Sequence, residues 1–130
     1  MTVAEIITEL TRAWAAGDGE AWAANFAEDA MFVDVLGNLH RGRNDIARSH
    51  QWIFDTIYRD SRIVDFVQVA QRPVGDDTLV VHTTSTLRVP AGPRAGDTPS
   101  TQTMIVKNGQ IIAFQNTIQG DLGAFSGHQL

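Results

Sequence analysis

The sequence contains no cysteine in its 130 residues. Disulfide bonds, thiolate zinc sites and cysteine nucleophiles are therefore excluded. Basic residues are also few, since 10 lysines and arginines stand against 15 aspartates and glutamates and give a formal net charge of -5. A nucleic-acid partner requires a basic face that neutralises phosphates. We therefore expect no nucleic-acid partner.

Motifs for metal and cofactor chemistry are missing as well. The sequence has no glycine-rich strand-to-helix turn for a dinucleotide, no phosphate-binding loop and no Gly-x-Ser-x-Gly nucleophile elbow. Neither an i, i+4 histidine pair nor clustered carboxylates supply a set of metal ligands. We expect neither a cofactor nor a metal.

The composition is that of one globular domain. The apolar share is 43% and the charged share 19%, and a chain of this length can bury a core without disulfides. Residues 1–10 carry acidic side chains where a signal peptide needs a basic region and an unbroken apolar run. We expect a cytoplasmic protein without a membrane partner, with one domain over residues 1–119 and a tail over residues 120–130.

Apolar spacing predicts three helices in the first half of the chain. Residues 3–14 repeat apolar side chains at helical spacing, and the GDG at residues 17–19 ends that helix. Asp18 is a suitable N-cap for a short second helix that runs through Phe26. The longest helix is predicted over residues 42–58, which carry a narrow apolar stripe.

Strands are predicted before and after that third helix. A dense apolar run at residues 30–36 is too short for a helix and suits a buried strand, whose alternation would place Phe32, Asp34 and Leu36 on one side. Four more strands follow the third helix. They cover residues 63–69, 79–87, 101–106 and 111–118. The proline-rich residues 90–99 are predicted to form a loop.

Asn108 and Gly109 predict a tight hairpin turn between the last two strands. A two-residue turn would pair Gln102 with Gln115 on the same face as Met104. The same register pairs Val106 with Ile111 and Met104 with Ala113. The opposite face would carry Thr103, Ile105, Ile112, Phe114 and Ile118. Because both faces are partly apolar, we expect a homodimer formed through the outer sheet face, with Ile112, Phe114 and Ile118 in the contact.

Nine short segments carry a family resemblance. They are AW at 13–14, GD at 17–18, FAEDA at 26–30, FVDVLG at 32–37, RGR at 41–43, HQWIFDTIY at 50–58, VVH at 80–82, TQT at 101–103 and AFQNT at 113–117. In this order and spacing they resemble the SnoaL-like superfamily, also called nuclear transport factor two-like, and within it the SgcJ/EcaC branch. The resemblance covers residues 3–118.

The resemblance implies a cystatin-like α+β fold, in which a curved antiparallel sheet wraps around three helices, dimerises through its outer face and leaves an apolar pocket at its open end. The superfamily includes cofactor-free isomerases, dehydratases and polyketide cyclases as well as binding and association modules. Some members of the branch are associated with the biosynthesis of antibiotics of the enediyne type. Fold alone does not choose among these functions.

His50 and Asp34 are the candidate catalytic residues. His50 lies in the apolar stripe of the third helix, where we expect its imidazole to be at least partly desolvated. Desolvation alone would lower its pKa, whereas a nearby ionised Asp34 would raise it. It is either an acid/base group or ligand anchor, or a core histidine bonded to a backbone carbonyl. Asp34 is either a general base with a raised pKa or an acceptor for backbone amides or an arginine. Contact between the two residues would indicate a catalytic pair.

Eight further residues are expected to bind a hydrophobic small molecule. They are Trp14, Phe32, Phe54, Tyr58, His82, Gln102, Met104 and Gln115. The aromatic residues belong first to the core and only second to a pocket wall. The amides of Gln102 and Gln115 either hold a carbonyl or hydroxyl group of the ligand or bond to each other. For His82, burial with one hydrogen bond is the more common role of a lone strand histidine.

Three functions are compatible with these patterns. The first is a cofactor-independent isomerase, cyclase or dehydratase that acts on a polyketide-like molecule, with Asp34 or His50 as the base. The second is a module that binds or carries an apolar intermediate without chemistry. The third is a dimeric association domain with a vestigial pocket.

Overall fold

The computed structural model describes residues 1–127, which form four helices and six strands. The helices are α1 (Val3–Ala15), α2 (Gly19–Ala23), α3 (Arg43–Asp55) and α4 (Leu122–Ser126). The strands are β1 (Phe26–Val33), β2 (Leu39–Arg41), β3 (Arg62–Val74), β4 (Thr78–Val89), β5 (Gly96–Lys107) and β6 (Gln110–Ile118). None of the helices in this part of the chain is long and apolar enough to cross a membrane.

Side-chain caps explain where the first two helices begin and end. Thr2 and Glu5 form a capping box at the start of α1, and Asp18 accepts a hydrogen bond from the Ala21 amide at the start of α2. The prediction that α2 runs through Phe26 is wrong. The Asn25 side chain bonds back to carbonyls of that helix and closes it, so the chain is extended again from Phe26.

Helix α3 is held against α2 by a close backbone approach. The Gly19 amide donates to the Gln51 side chain at 2.8 Å, and Gln51 in turn donates to the Gly17 carbonyl at 3.1 Å. A Cβ at Gly19 would collide with the Ala47 carbonyl oxygen. Glycine is therefore required here by space, and this contact fixes the position of the helix that carries His50.

Strand β1 begins and ends earlier than predicted. It ends at Val33 because the Asp34 carboxylate accepts hydrogen bonds from the Leu36 and Asn38 amides and so folds the chain into a turn. Asp34 and Leu36 therefore do not continue the face of Phe32. The short strand β2 that follows this turn pairs back on β1 and was not predicted.

The six strands form one sheet in the order β2-β1-β6-β5-β4-β3. The predicted α+β class and the curved, open sheet are confirmed. The β1–β6 pair is parallel, whereas the other neighbouring pairs are antiparallel. Helices and sheet together bury the core. The largest fully buried side chains are Phe26, Ile6, Leu10, Ile46, Met104, Ile111, Val81 and Thr83.

The turn at Asn108 and Gly109 is confirmed, with positive φ at both residues, and Val106 pairs with Ile111 as predicted. The register beyond that point is wrong. Ile105 pairs with Ala113, so Ile112 is an extra residue in β6 and forms a bulge. Every later side chain of β6 consequently faces the side opposite to the predicted one. Met104 pairs with Phe114, and Gln102 pairs with Asn116 rather than Gln115.

The bulge changes the composition of both sheet faces. Phe114 and Ile118 lie on the inner face, against the helices and the cavity, and not on the outer face. One apolar row crosses the outer face through cross-strand pairs. It consists of Met31, Ala113, Ile105 and Val80.

The predicted loop and tail contain regular structure. The loop is confined to residues 90–95, since β5 already begins at Gly96 and Pro99 lies inside it. In the tail, Asp121 caps the single helical turn α4. Residues 128–130 of the predicted tail lie outside the described residues.

Candidate functional site

A cavity of about 540 Å³ lies between the inner sheet face and the helices. Its walls come from helices α1 to α3 and the residues after α3, from the turn between β1 and β2, and from all six strands. The residues that line it are Trp14, Trp22, Phe32, Asp34, Val35, Leu36, Asn38, His40, Ser49, His50, Trp52, Ile53, Ile57, Tyr58, Ile63, Phe66, Ser85, Leu87, Thr98, Ser100, Gln102, Phe114, Asn116 and Ile118. A volume of this size accommodates a small molecule of several rings.

Aromatic rings form most of the deep wall. Phe32 and Phe114 are stacked with ring centroids 4.8 Å apart, and Trp14 meets Trp22 edge to face at 5.2 Å. The Trp14 indole donates a hydrogen bond to Ser61 Oγ at 2.8 Å. These contacts hold the rings in place, because aromatic pairs favour such offset and edge geometries.

Two of the predicted ligand-binding residues lie behind this wall. Phe54 packs edge-on against Trp14 at 4.8 Å, and Met104 is fully buried. Neither lines the cavity.

The Trp22 Nε1 atom is also buried, and it has no hydrogen-bond partner within residues 1–127.

His50 projects from α3 into the aromatic wall, as the phase of the apolar stripe predicted. Its side chain is buried and stacks on Trp22 with ring centroids 5.0 Å apart. Nδ1 lies 2.8 Å from the Ile46 carbonyl oxygen. Since a carbonyl only accepts, Nδ1 carries the proton and Nε2 keeps its lone pair. Within the described chain Nε2 has no hydrogen-bond partner, so it is available to a ligand.

Burial lowers the pKa of His50 to about 4, and the hydrogen bond to the Ile46 carbonyl opposes this only in part. The imidazole is therefore neutral near pH 7. Its Nε2 atom is an uncharged proton acceptor in apolar surroundings. The predicted desolvation is confirmed, and the pKa moves in the direction expected from burial alone.

The lowered pKa of His50 makes the protein sensitive to acid. In the unfolded protein the imidazole takes up its proton near pH 6.5, whereas in the folded protein it does so only near pH 4. Between these values the unfolded state binds more protons, so the free energy of unfolding falls as the pH is lowered. We expect this residue to account for a loss of about 3 kcal/mol between pH 6.5 and 4. Urea unfolding at several pH values measures it.

The control for this prediction is His82, which is exposed. His82→Gln should keep the acid dependence of the natural sequence, whereas His50→Gln should lack that part of it. If both variants lose stability with acid to the same extent, His50 does not titrate as its burial requires.

Asp34 is held at the mouth of the cavity by three hydrogen bonds. Oδ1 accepts from the Leu36 and Asn38 amides, and Oδ2 lies 2.9 Å from His40 Nε2. Partial burial raises the pKa of Asp34, but the hydrogen bonds from His40 and from the two amides outweigh it. The net pKa is lowered, so of the two roles left open by the sequence, the acceptor for backbone amides is observed and the carboxylate with a raised pKa is not. Asp34 pairs with His40, and no hydrogen bond joins it to His50 in residues 1–127.

A polar network lines the cavity opposite the aromatic wall. Gln102 is its centre: Oε1 accepts from Thr83 Oγ1 at 2.7 Å, and Nε2 lies 3.1 Å from Ser85 Oγ, 2.9 Å from Ser100 Oγ and 3.0 Å from Asn116 Oδ1. Ser85 and Ser100 also contact each other at 3.2 Å. Oδ1 of Asn116 thus accepts a hydrogen bond, whereas its Nδ2 group has no hydrogen-bond partner in the described residues.

The structure thus brings some predicted residues together and separates others. Cavity residues among those predicted are Asp34, His50, Trp14, Phe32, Tyr58 and Gln102. His82 and Gln115 are exposed on the outer face, where His82 Nδ1 lies 3.0 Å from Thr103 Oγ1. Both are wrong as cavity residues.

Several cavity residues were not predicted. Ser100 could have been found, since alternation along β5 places it on the face of Gln102. Asn116 was hidden by the bulge, and His40 by the unpredicted strand β2. Within residues 1–127, no group of three or more His, Cys, Asp or Glu side chains could hold a metal ion.

Comparison with known proteins gives one family and many similar folds. A family model described as a SnoaL-like domain matches residues 7–114. No curated protein is significantly similar in sequence.

A solved domain of unknown function with a cystatin-like fold, from Nostoc punctiforme, has a TM-score of 0.82 and 25% identity over 98% of this chain and 85% of that one. A protein from Catenulispora acidiphila with a ketosteroid isomerase-like fold, in complex with trimethylamine, has a TM-score of 0.67 and 20% identity over 98% and 96%. A putative calcium/calmodulin-dependent protein kinase II association domain from Xanthomonas campestris has a TM-score of 0.75 and 17% identity over 92% and 87%.

Proposed function

Because the chain belongs to the SnoaL-like domain family, we propose that its cavity binds a mostly apolar, polyketide-like small molecule and moves a proton on it without a cofactor. The reaction is an isomerisation, cyclisation or dehydration. One observation carries this proposal: His50 presents a neutral, unpartnered Nε2 in an aromatic cavity. A histidine with only a structural role would not be expected to leave an unpaired ring nitrogen beside a cavity large enough for a ligand.

In this mechanism His50 Nε2 removes a proton from a carbon next to a ligand carbonyl group. A base with a pKa of about 4 suffices when the enolate oxygen is stabilised, as in ketosteroid isomerase, where the base has a pKa of about 4.6. The free Nδ2 donors of Asn116 are suited to that oxygen, because the bond from Gln102 fixes the amide in advance. Proton return from the imidazolium to another carbon completes an isomerisation.

Asp34 is a weaker candidate for the base. Both of its oxygen atoms already accept hydrogen bonds, and this lowers its pKa. We propose instead that Asp34 orients His40 at the cavity mouth. His40 Nδ1 lies 3.9 Å from Asp45 Oδ2, so both ring nitrogens face carboxylates.

The test of this proposal measures proton removal directly and needs no natural substrate. In D₂O, 2-tetralone exchanges the hydrogens next to its ketone slowly, and mass spectrometry counts the deuterium gained. We expect the protein to accelerate exchange in a saturable manner. Saturable quenching of tryptophan emission by 2-tetralone without any acceleration of deuterium exchange would refute the enzyme and support a protein that only binds the ligand.

That second function, a non-catalytic binding or carrier module, is supported by the low pKa of His50, which limits its strength as a base. The structure of the Catenulispora acidiphila protein, which has a similar fold, contains trimethylamine, and this supports the binding of small molecules by proteins of this fold. The association-domain function finds support only in the fold shared with the Xanthomonas campestris protein. A cavity that binds no ligand would favour it.

We also propose a homodimer through the outer sheet face, by the apolar row that includes Met31, Ile105 and Val80. Sedimentation as a monomer at micromolar concentration would refute this. The proposed setting is cytoplasmic biosynthesis of a natural product such as an enediyne antibiotic, and it depends on the family resemblance alone.

A further inference from the structure

Within residues 1–127, the cavity wall offers no unpaired cation to an anion. Within the described chain, neither lysine nor arginine lines it. Its titratable wall residues are Asp34, His40, His50 and Tyr58, with Asp45 beside His40. His50 is neutral near pH 7 and offers its free nitrogen as an acceptor. Asp34 is ionised near pH 7, and the His40 imidazole lies between it and Asp45, so any positive charge on that ring is already compensated.

Two arginines close in sequence to the cavity wall are engaged elsewhere. Arg88 adjoins the wall residue Leu87 but forms an exposed ion pair with Asp97 at 3.0 Å. Arg43 donates to the Phe26 carbonyl at 2.9 Å, behind the wall. The formal net charge of -5 gives no attraction for anions from a distance either.

We infer that the cavity excludes ligands that carry a carboxylate or a phosphate and accepts aromatic ketones, phenols and enols whose buried end is uncharged. This inference rests on the proposed function and narrows its substrate class. The reaction that supplies the substrate must therefore deliver a molecule whose buried end is uncharged.

The physical basis is the cost of burying an unpaired charge. A carboxylate taken out of water needs a cation or several hydrogen-bond donors. The polar network offers no cation. Its free donors are the Asn116 Nδ2 hydrogens and one serine O–H, because Ser85 and Ser100 both accept from Gln102 and only one of them can donate to the other. A ketone needs a single donor, and a phenol or enol can also donate to His50 Nε2.

Two compounds of matched shape test the inference. 2-Acetylnaphthalene is uncharged, and 2-naphthoate has the same rings with a carboxylate in place of the acetyl group. Binding is followed by quenching of tryptophan emission. At pH 7 we expect naphthoate to bind about 100-fold more weakly than the ketone. If only the protonated acid enters, the dissociation constant of naphthoate should fall about tenfold per pH unit from pH 7 to 5. The dissociation constant of the ketone should stay constant over this range. Any change in it would reveal an effect of titrating wall residues.

A pair of variants supplies the missing charge and its control. Ile118 lines the cavity and is partly exposed, whereas Thr117 precedes it on the opposite face. Ile118→Arg should strengthen naphthoate binding at least tenfold at pH 7 and should not strengthen binding of the ketone. Thr117→Arg adds the same charge outside the cavity and should change neither.

Equal affinity of the natural sequence for both compounds would overturn the inference, as would the absence of any gain in Ile118→Arg. Quenching by neither compound would overturn both this inference and the proposed function. Ketone binding with discrimination, but without deuterium exchange into 2-tetralone, would refute the enzyme and leave the selectivity intact.

Discussion

His50→Gln is expected to slow the deuterium exchange of 2-tetralone by about 10²- to 10⁴-fold, the usual contribution of a positioned general base. Glutamine is similar in size and polarity but accepts no proton near neutral pH. The aromatic wall around the residue is largely retained. The dissociation constant of the ketone should therefore change less than threefold, so that the loss falls on the rate of the bound complex.

The matched control for this experiment is His82→Gln, which removes an imidazole from the outer face. It should exchange deuterium at the rate of the natural sequence. If His50→Gln keeps its rate, His50 is not the base, and the Asp34–His40 pair becomes the next candidate. If it loses affinity and rate together, the imidazole binds the ligand without removing a proton.

Gln102→Leu is expected to lower the free energy of unfolding by about 4 kcal/mol. Leucine fills a similar volume but leaves the Thr83 hydroxyl and the Asn116 Oδ1 without their partner. An orphaned buried polar group costs about 1 to 3 kcal/mol. Thr83 is buried and Asn116 half-buried, and the buried hydroxyls of Ser85 and Ser100 also lose their contact with Gln102. Urea denaturation at pH 7 measures the difference, and exchange into 2-tetralone should slow as well because the Asn116 amide is no longer fixed.

The control is the same substitution one strand away. Gln115→Leu lies on the exposed outer face and should change the free energy of unfolding by less than about 0.5 kcal/mol. Equal destabilisation by both substitutions would contradict the observed register. The comparison therefore tests the bulge in β6 as well as the network.

The position of His50 could be predicted because a helix has a constant period. Residues 46, 50 and 54 share one face of a regular helix, and all three are buried. Nothing outside α3 was needed to conclude that the imidazole faces the core. Its hydrogen bond to the Ile46 carbonyl is likewise local, four residues along the same helix.

The orientation of Gln115 and Asn116 could not be predicted, because the face on which a strand residue lies depends on every residue between it and the start of the register. Its period is two, so the single extra residue Ile112 exchanges the two faces for the rest of β6. The turn residues specify only the start of the register. The Ile111 contact with β1 and the stacking of Phe114 on Phe32 involve distant parts of the chain, and the residues of the hairpin alone do not reveal them.

Asp34 shows a different limit of sequence patterns. Alternation within residues 30–36 predicted an inward carboxylate, but a short acidic side chain can capture nearby backbone amides instead. The bonds to Leu36 and Asn38 end the strand and turn His40 toward the carboxylate. A raised pKa would have required an isolated carboxylate.

The parallel pairing of β1 and β6 determines when the site can form during synthesis. Phe32 is translated well before Phe114, yet the two rings stack to make one wall of the cavity. Helices depend on local contacts and can form while the chain is still emerging, but closing such a long loop must wait for its second end. The nascent chain therefore has no ligand site until β6 has left the ribosome, and in the meantime the aromatic side chains of its first half remain exposed to chaperones and to aggregation.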